Sequence, residues 1–203
     1  MSVSEQDRAR IATAIRAAEA KTSGEIVCVL ARTSTDAAAL PMLLAAGVAL
    51  ALPWLLVALT HMTVERILVL QVAVFVLLAV VLCLPRVRVA LVPRAARRHV
   101  AHRAAMEQFA MRGIARKKER TGILIFVSLA ERYARIIADE GIAGRVHQSE
   151  WQNAVNALTA HTRDGRIADG FISAVEACGN VLAAHFPRTE TSHDDLPDRI
   201  YLV

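Results

Sequence analysis

Residues 38–84 read AALPMLLAAGVALALPWLLVALTHMTVERILVLQVAVFVLLAVVLCL, and from Ala37 to Val64 no side chain carries a full charge. Glu65 and Arg66 are the only charged pair in the whole stretch. About 20 apolar residues suffice to cross a hydrocarbon core of about 30 Å. The segments 40–60 and 67–84 both meet that requirement, the second at the short end of the range. HMTVER (61–66) is the polar punctuation between them and is long enough for a tight helical turn. Pro41 falls near the start of the first segment, where a missing N–H is tolerated, and Pro53 falls inside it, where a kink is expected. A buried soluble hairpin would need protein around both helices, and the rest of the 203-residue chain is too short to supply it. Residues 38–84 are therefore expected to be a transmembrane helical hairpin.

On either side of the hairpin the chain reads as one soluble domain. Ser4 and Asp7 stand three apart, as in a capping box, and Ile11, Ile15 and Ala18 follow as an apolar helical stripe. Thr22-Ser23-Gly24 stops that helix, and EIVCVLA (25–31) reads as a buried strand. Beyond the hairpin, a helix is expected over about 93–118, with Val100, Ala104, Met106, Phe109 and Ile114 facing inward. TGILIFVSLA (121–130) and YARIIADEG (133–141) read as two strands joined closely enough to form an antiparallel hairpin. Trp151, Val155 and Leu158 mark one further helix, ended by Asp164-Gly165, and Asp169 to His185 marks another. Residues 188–203 read as a polar tail ending in a short apolar IYLV. The expected organisation is one discontinuous α/β domain, 1–36 and 86–187, holding a small mixed sheet flanked by helices.

Charge assigns sides. From Arg86 to Arg120 there are eleven Lys and Arg against Glu107 and Glu119, whereas the 61–66 loop holds a single Arg66. Such a bias marks the cytoplasmic side of a membrane, and residues 1–36 contain no apolar core of an export signal. An inner-membrane protein with both termini cytoplasmic is expected. Arg86, Arg88, Arg94, Arg97, Arg98 and Arg103, directly after the second span, are expected to meet anionic headgroups. Phe109 is the one aromatic in this basic stretch, so lipid is favoured over stacked nucleic-acid bases and no nucleic-acid partner is expected.

Few residues point to chemistry. Cys28, Cys83 and Cys178 are odd in number and widely spaced, and are read as reduced, packed thiols. His99 and His102 lie among arginines that disfavour a bound cation. Neither a phosphate-binding nor a dinucleotide-binding glycine motif is present. Asp139-Glu140, at the end of an expected strand, is the strongest acidic pair. A hard divalent cation would need further oxygen ligands, for which Glu150, Asp164 and Asp169 are available. Catalytic roles would fall to Asp139, Glu140, Asp164 or Asp169 in a metal-dependent hydrolase; otherwise no metal or cofactor is expected.

The segments IATAIRAAEAKTSGEIVCVLA (11–31), ERTGILIFVSLAERYARIIADEGI (119–142), Trp151 and GRIADGFISAVEACGNVLAAHFP (165–187) together resemble a TPM domain. More narrowly, the chain is similar to short bacterial membrane proteins in which a transmembrane hairpin interrupts that domain. The resemblance implies a compact α/β fold with a small sheet between helices. It also implies two function classes: phosphatase or calcium-binding activity through an acidic cluster in exported or thylakoid-lumen relatives, and repair or assembly of membrane complexes in others. The turn after the third strand resembles G-L-E-G-x-L-x-D in those acidic relatives. Here the stretch is Gly141 to Gln148, with Ala143 at the Glu position, Gln148 at the Asp position and Arg145 adding a positive charge. A membrane-anchored, non-enzymatic module that docks a protein partner is therefore expected, with a phosphatase-like hydrolase as the alternative.

Overall fold

The computed structural model describes residues 3–33, 39–84, 87, 93–114, 120–189 and 196–203. The chain divides into two compact units, one formed by Met1–Ser34 with Val100–Val203 and the other by Thr35–His99.

The first unit is built on a four-stranded mixed sheet of order β3-β2-β1-β4. β1 (Glu25–Ala31) and β2 (Gly122–Ser128) run parallel, with Ile26 opposite Ile123 and Leu30 opposite Val127. Every residue of both strands is buried. That follows from burial on two faces, which demands continuous apolar sequence in place of alternation. Ile26, Cys28, Leu30, Ile123, Ile125 and Val127 enter one core cluster; Val27, Val29, Ala31, Leu124 and Phe126 enter the other. Helices α1 (Glu5–Glu19), α6 (Glu150–Arg163) and α7 (Ile167–His185) close the first face. α4 (Arg94–Met111) closes the second with Ala105 and Phe109, and a parallel pair needs such a crossover between its strands.

β3 (Tyr133–Ala138) pairs antiparallel with β2, Ile125 opposite Ile136, as the short connection predicts. The strand is shorter than the 133–141 read from sequence. Asp139 turns the chain instead, capping a one-turn helix α5 (Glu140–Ala143) by accepting a hydrogen bond from the Glu140 N–H. α4 likewise ends at Met111, seven residues before the expected Lys118, with Gly113 at φ 73° in the left-handed region. A further difference lies at the C-terminus. Ile200–Leu202 of the expected tail form β4, parallel to β1, with Cys28 opposite Ile200. Val203 continues the pairing, its N–H donating to the Leu30 carbonyl and its own carbonyl accepting from Arg32.

α1 begins as its sequence dictates. The Ser4 hydroxyl accepts from the Asp7 N–H and donates to Oδ2 of Asp7, a reciprocal cap that holds the Asp7 carboxyl below its ordinary pKa. Arg10 joins α1 to α7 through Asp169 at 2.7 Å, which raises the Arg10 pKa further above its ordinary value. The two helices approach closely at Gly179, where an added Cβ would stand 2.7 Å from that of Ala18. Gly179→Val should therefore destabilise the unit by about 1–3 kcal/mol despite the better helix propensity of valine. Ala18→Gly in the same chain should restore part of the loss, and urea unfolding midpoints of the two variants measure both effects.

The second unit contains α2 (Ala39–Leu59), with Pro53 inside it, and α3 (Val64–Cys83), joined by residues 60–63. Ala45 and Ala49, one turn apart, are buried, as is Ile67. Small residues at that spacing allow helices to pack closely. Along both helices the exposed side chains are mostly apolar: Trp54 is 81% exposed, and Leu43, Leu50, Val57, Leu59, Val69 and Leu77 are all exposed.

Among the described residues three helices are long and apolar enough to cross a membrane: Pro41–Leu59, Val64–Cys83 and Ile167–His185. They differ in what surrounds them. Half of the third is buried within the protein, against 11% and 6% of the first two. Its buried residues Phe171, Ala174, Val175, Cys178 and Leu182 follow helical spacing and belong to the sheet core, while Glu176 and Asn180 are exposed. Such one-sided burial is that of an amphipathic core helix.

Candidate functional site

The acidic residues singled out from sequence separate into different settings. Asp139 is buried at the end of β3. Its Oδ1 accepts from Arg120 Nε at 3.1 Å, and its Oδ2 is buried with no hydrogen-bond partner among the described residues. The same guanidinium reaches Oε2 of exposed Glu140 at 2.9 Å. Arg120 stands at φ 53°, a left-handed conformation uncommon for a residue with a side chain. Asp164 pairs with Arg166 at 3.1 Å at the end of α6, and Asp169 pairs with Arg10 on α1. Glu150 is placed against His185 at 3.5 Å. The structure thus joins Asp139 and Glu140 through one arginine and gives Asp164 and Asp169 other partners. Among the described residues no group of three or more His, Cys, Asp or Glu is placed to hold a metal ion.

Removal of the Arg120 side chain should be costly because Asp139 would stay buried without its cation. Breaking a fully buried pair costs about 3–5 kcal/mol. Arg120 is 40% exposed, so water replaces part of its effect, and Arg120→Ala is expected to cost about 1–2 kcal/mol in urea unfolding.

At the other end of β2 lies another buried carboxylate that no sequence motif announced. Glu131 accepts from the Ser128 hydroxyl and, through Oε1, from the Thr33 hydroxyl at 3.1 Å. These bonds fix the turn between β2 and β3, where Arg132 also adopts a positive φ of 50°. Ser128 is thereby a structural hydroxyl. Cys28 and Cys178 are equally inert: burial pushes both thiols well above their ordinary pKa, with each other's proximity adding to the effect on Cys28.

Of the basic residues assigned to a membrane surface, Arg94, Arg97, Arg98 and Arg103 lie on α4. Arg98 and Arg103 are exposed; Arg97 is partly buried. Arg103 spends part of its charge on Glu107 at 3.2 Å, one helical turn away. Arg86 and Arg88 lie outside the described residues, as does the side chain of Arg94. His102, read as one of two histidines on a basic helix, meets the Tyr133 hydroxyl at 3.4 Å through Nδ1. The reading of 188–203 as a tail concealed Arg199 and Tyr201, which β4 brings beside Arg112. No motif signals that grouping, because nearly ninety residues separate its halves.

No curated protein matches the chain. A solved structure similar to it is the NMR structure of BA42 protein from the psychrophilic bacterium Bizionia argentinensis. The alignment covers 100% of this chain and 97% of that one, with 20% identical residues and a TM-score of 0.63. At that identity the likeness concerns fold alone, the mixed sheet flanked by helices. The family model of the TPM domain matches residues 85–181, a range that begins after the apolar hairpin and takes in α4, β2, β3 and most of α7. Over residues 85–181 the chain is thus similar to the TPM domain.

Proposed function

We propose that the protein is a membrane-anchored TPM-domain module in which α2 and α3 cross the inner membrane and the sheet unit faces the cytoplasm. The observation that carries this reading is the pair of adjacent helices, of 21 and 20 residues, whose side chains are almost wholly apolar and point outward. At 1.5 Å per residue each is about 30 Å long, the thickness of a hydrocarbon core. In water that surface would drive aggregation; in lipid it is matched.

Orientation follows from the cations. The eleven Lys and Arg of 86–120, against the single Arg66 of 61–66, support a sheet unit on the cytoplasmic side. Exposed Arg98 and Arg103, with Arg86, Arg88, Arg94 and Arg97, supply a basic collar for anionic headgroups, at about 1 kcal/mol for each cation near the surface. The work of such a module is non-enzymatic: docking a protein partner or assisting assembly of a membrane complex. This part of the proposal is supported by the sheet ends, where Asp139, Glu131 and Ser128 are engaged in capping and turn-holding bonds.

Alkaline carbonate extraction of cell membranes tests the anchor. The full chain should stay in the membrane pellet; release into the supernatant would refute the anchor.

A further inference from the structure

β4 is an edge strand, and a cleft of about 640 Å³ wraps its outer side. The walls come from both faces of the sheet: Arg8 and Ala12 from α1, Arg112 from just beyond α4, and Arg199 and Tyr201 from the final segment. The Arg112 guanidinium carbon lies 3.8 Å from the centroid of the Tyr201 ring, and that of Arg199 lies 4.8 Å from the same centroid. The two cations are therefore within about a Debye length of each other, ~8 Å at physiological salt, and repel. Attraction to an aromatic face, about 0.5–1 kcal/mol at an exposed site, holds each one without neutralising it.

Arg112 donates through Nε and Nη2 to Oε1 of Gln108, at 3.2 and 2.9 Å. Gln108 is neutral, so it fixes the guanidinium and leaves its charge in place. Among the described residues neither Arg112 nor Arg199 has a carboxylate partner. Glu5 is the acid in the cleft, and it already holds Arg8 at 3.3 Å. Three arginines against one glutamate give the described lining residues a formal charge of +2.

We propose that this cleft binds a phosphomonoester group, presented either by a small soluble metabolite or by a lipid headgroup. A phosphomonoester carries about −1.5 to −2 charges at pH 7, which matches the lining, whereas one carboxylate would neutralise half of it. Guanidinium groups offer paired N–H donors in the planar geometry that phosphate oxygens accept. Fixing by Gln108 and Tyr201 reduces the side-chain entropy lost on binding. The cleft lies wholly within the unit Met1–Ser34 and Val100–Val203, so the assignment is independent of where the hairpin resides.

The test uses the full chain in neutral-lipid nanodiscs, titrated calorimetrically with glycerol 3-phosphate at fixed ionic strength. A parallel series incorporates phosphatidic acid, the same group on a lipid, at increasing mole fraction. Saturable binding of glycerol 3-phosphate identifies a soluble ligand; saturable binding of phosphatidic acid alone identifies a headgroup. In either case the Arg112→Gln/Arg199→Gln double variant should weaken binding tenfold or more, and Arg112→Lys should fall between it and the parent. Arg145→Gln/Arg163→Gln, at exposed positions outside the cleft, should bind as the parent does. The proposal fails if neither probe binds saturably, or if the double variant, with an unchanged unfolding midpoint, binds as tightly as the parent.

Discussion

Phe171→Ala should lower the stability of the sheet unit by about 3–5 kcal/mol, the usual cost of removing a fully buried aromatic ring. For a unit of this size that corresponds to roughly 10 °C in the melting temperature. Phe171 is completely buried on α7, in the same core cluster as Trp151, Leu158, Ile11 and Ile15. Surrounding backbone limits how far that site can collapse into the space. Asn180→Ala, on the exposed side of the same helix, should change stability by no more than about 0.5 kcal/mol. The contrast matters because α7 is itself long and apolar enough to cross a membrane. Were α7 in lipid, truncating Phe171 would leave unfolding of the sheet unit almost unchanged. Thermal melts of the two variants separate a core helix from a span.

Replacing residues 35–92 with a flexible Gly/Ser linker should move the protein from the membrane pellet to the soluble fraction while leaving a cooperatively folding domain. The reason lies in the distribution of contacts. β1 and β2 are joined by seven parallel residue pairs, and both of their faces are covered by α1, α4, α6 and α7, all retained in the shortened chain. α4 supplies the crossover that a parallel pair requires, and it begins at Arg94, beyond the replaced segment. The linker has only to close a loop, whose entropy grows slowly with length. A shortened chain that remained in the pellet, or that melted without cooperativity, would contradict the division into two units.

What the sequence disclosed depended on how local the determinant was. β1 and β2 were legible because burial on two faces leaves an unbroken run of Ile, Val, Leu and Phe, bounded by Gly24 and by the Arg120-Thr121-Gly122 stretch. The hairpin helices were legible from length and the absence of charge alone. The end of β3 was overshot because Ile136 and Ile137 continue into Ala138-Asp139 without an apolar break; what stops the strand is a capping bond of the Asp139 side chain. β4 escaped because three residues behind a polar segment carry almost no pattern, and their partner, β1, lies some 170 positions away. The same distance hid the Arg112, Tyr201 and Arg199 grouping. Of the acidic candidates, Asp139 and Glu140 were joined by Arg120, whose side-chain direction depends on a positive φ that no local motif announces.

The proposed topology is a domain interrupted by a hairpin whose two ends emerge on one side of the membrane. Paired reporter fusions measure this directly, one placed after residue 63 in the turn and one at the C-terminus. The turn fusion should report the periplasmic side and the C-terminal fusion the cytoplasmic side. Reports from the same side at both positions would contradict it.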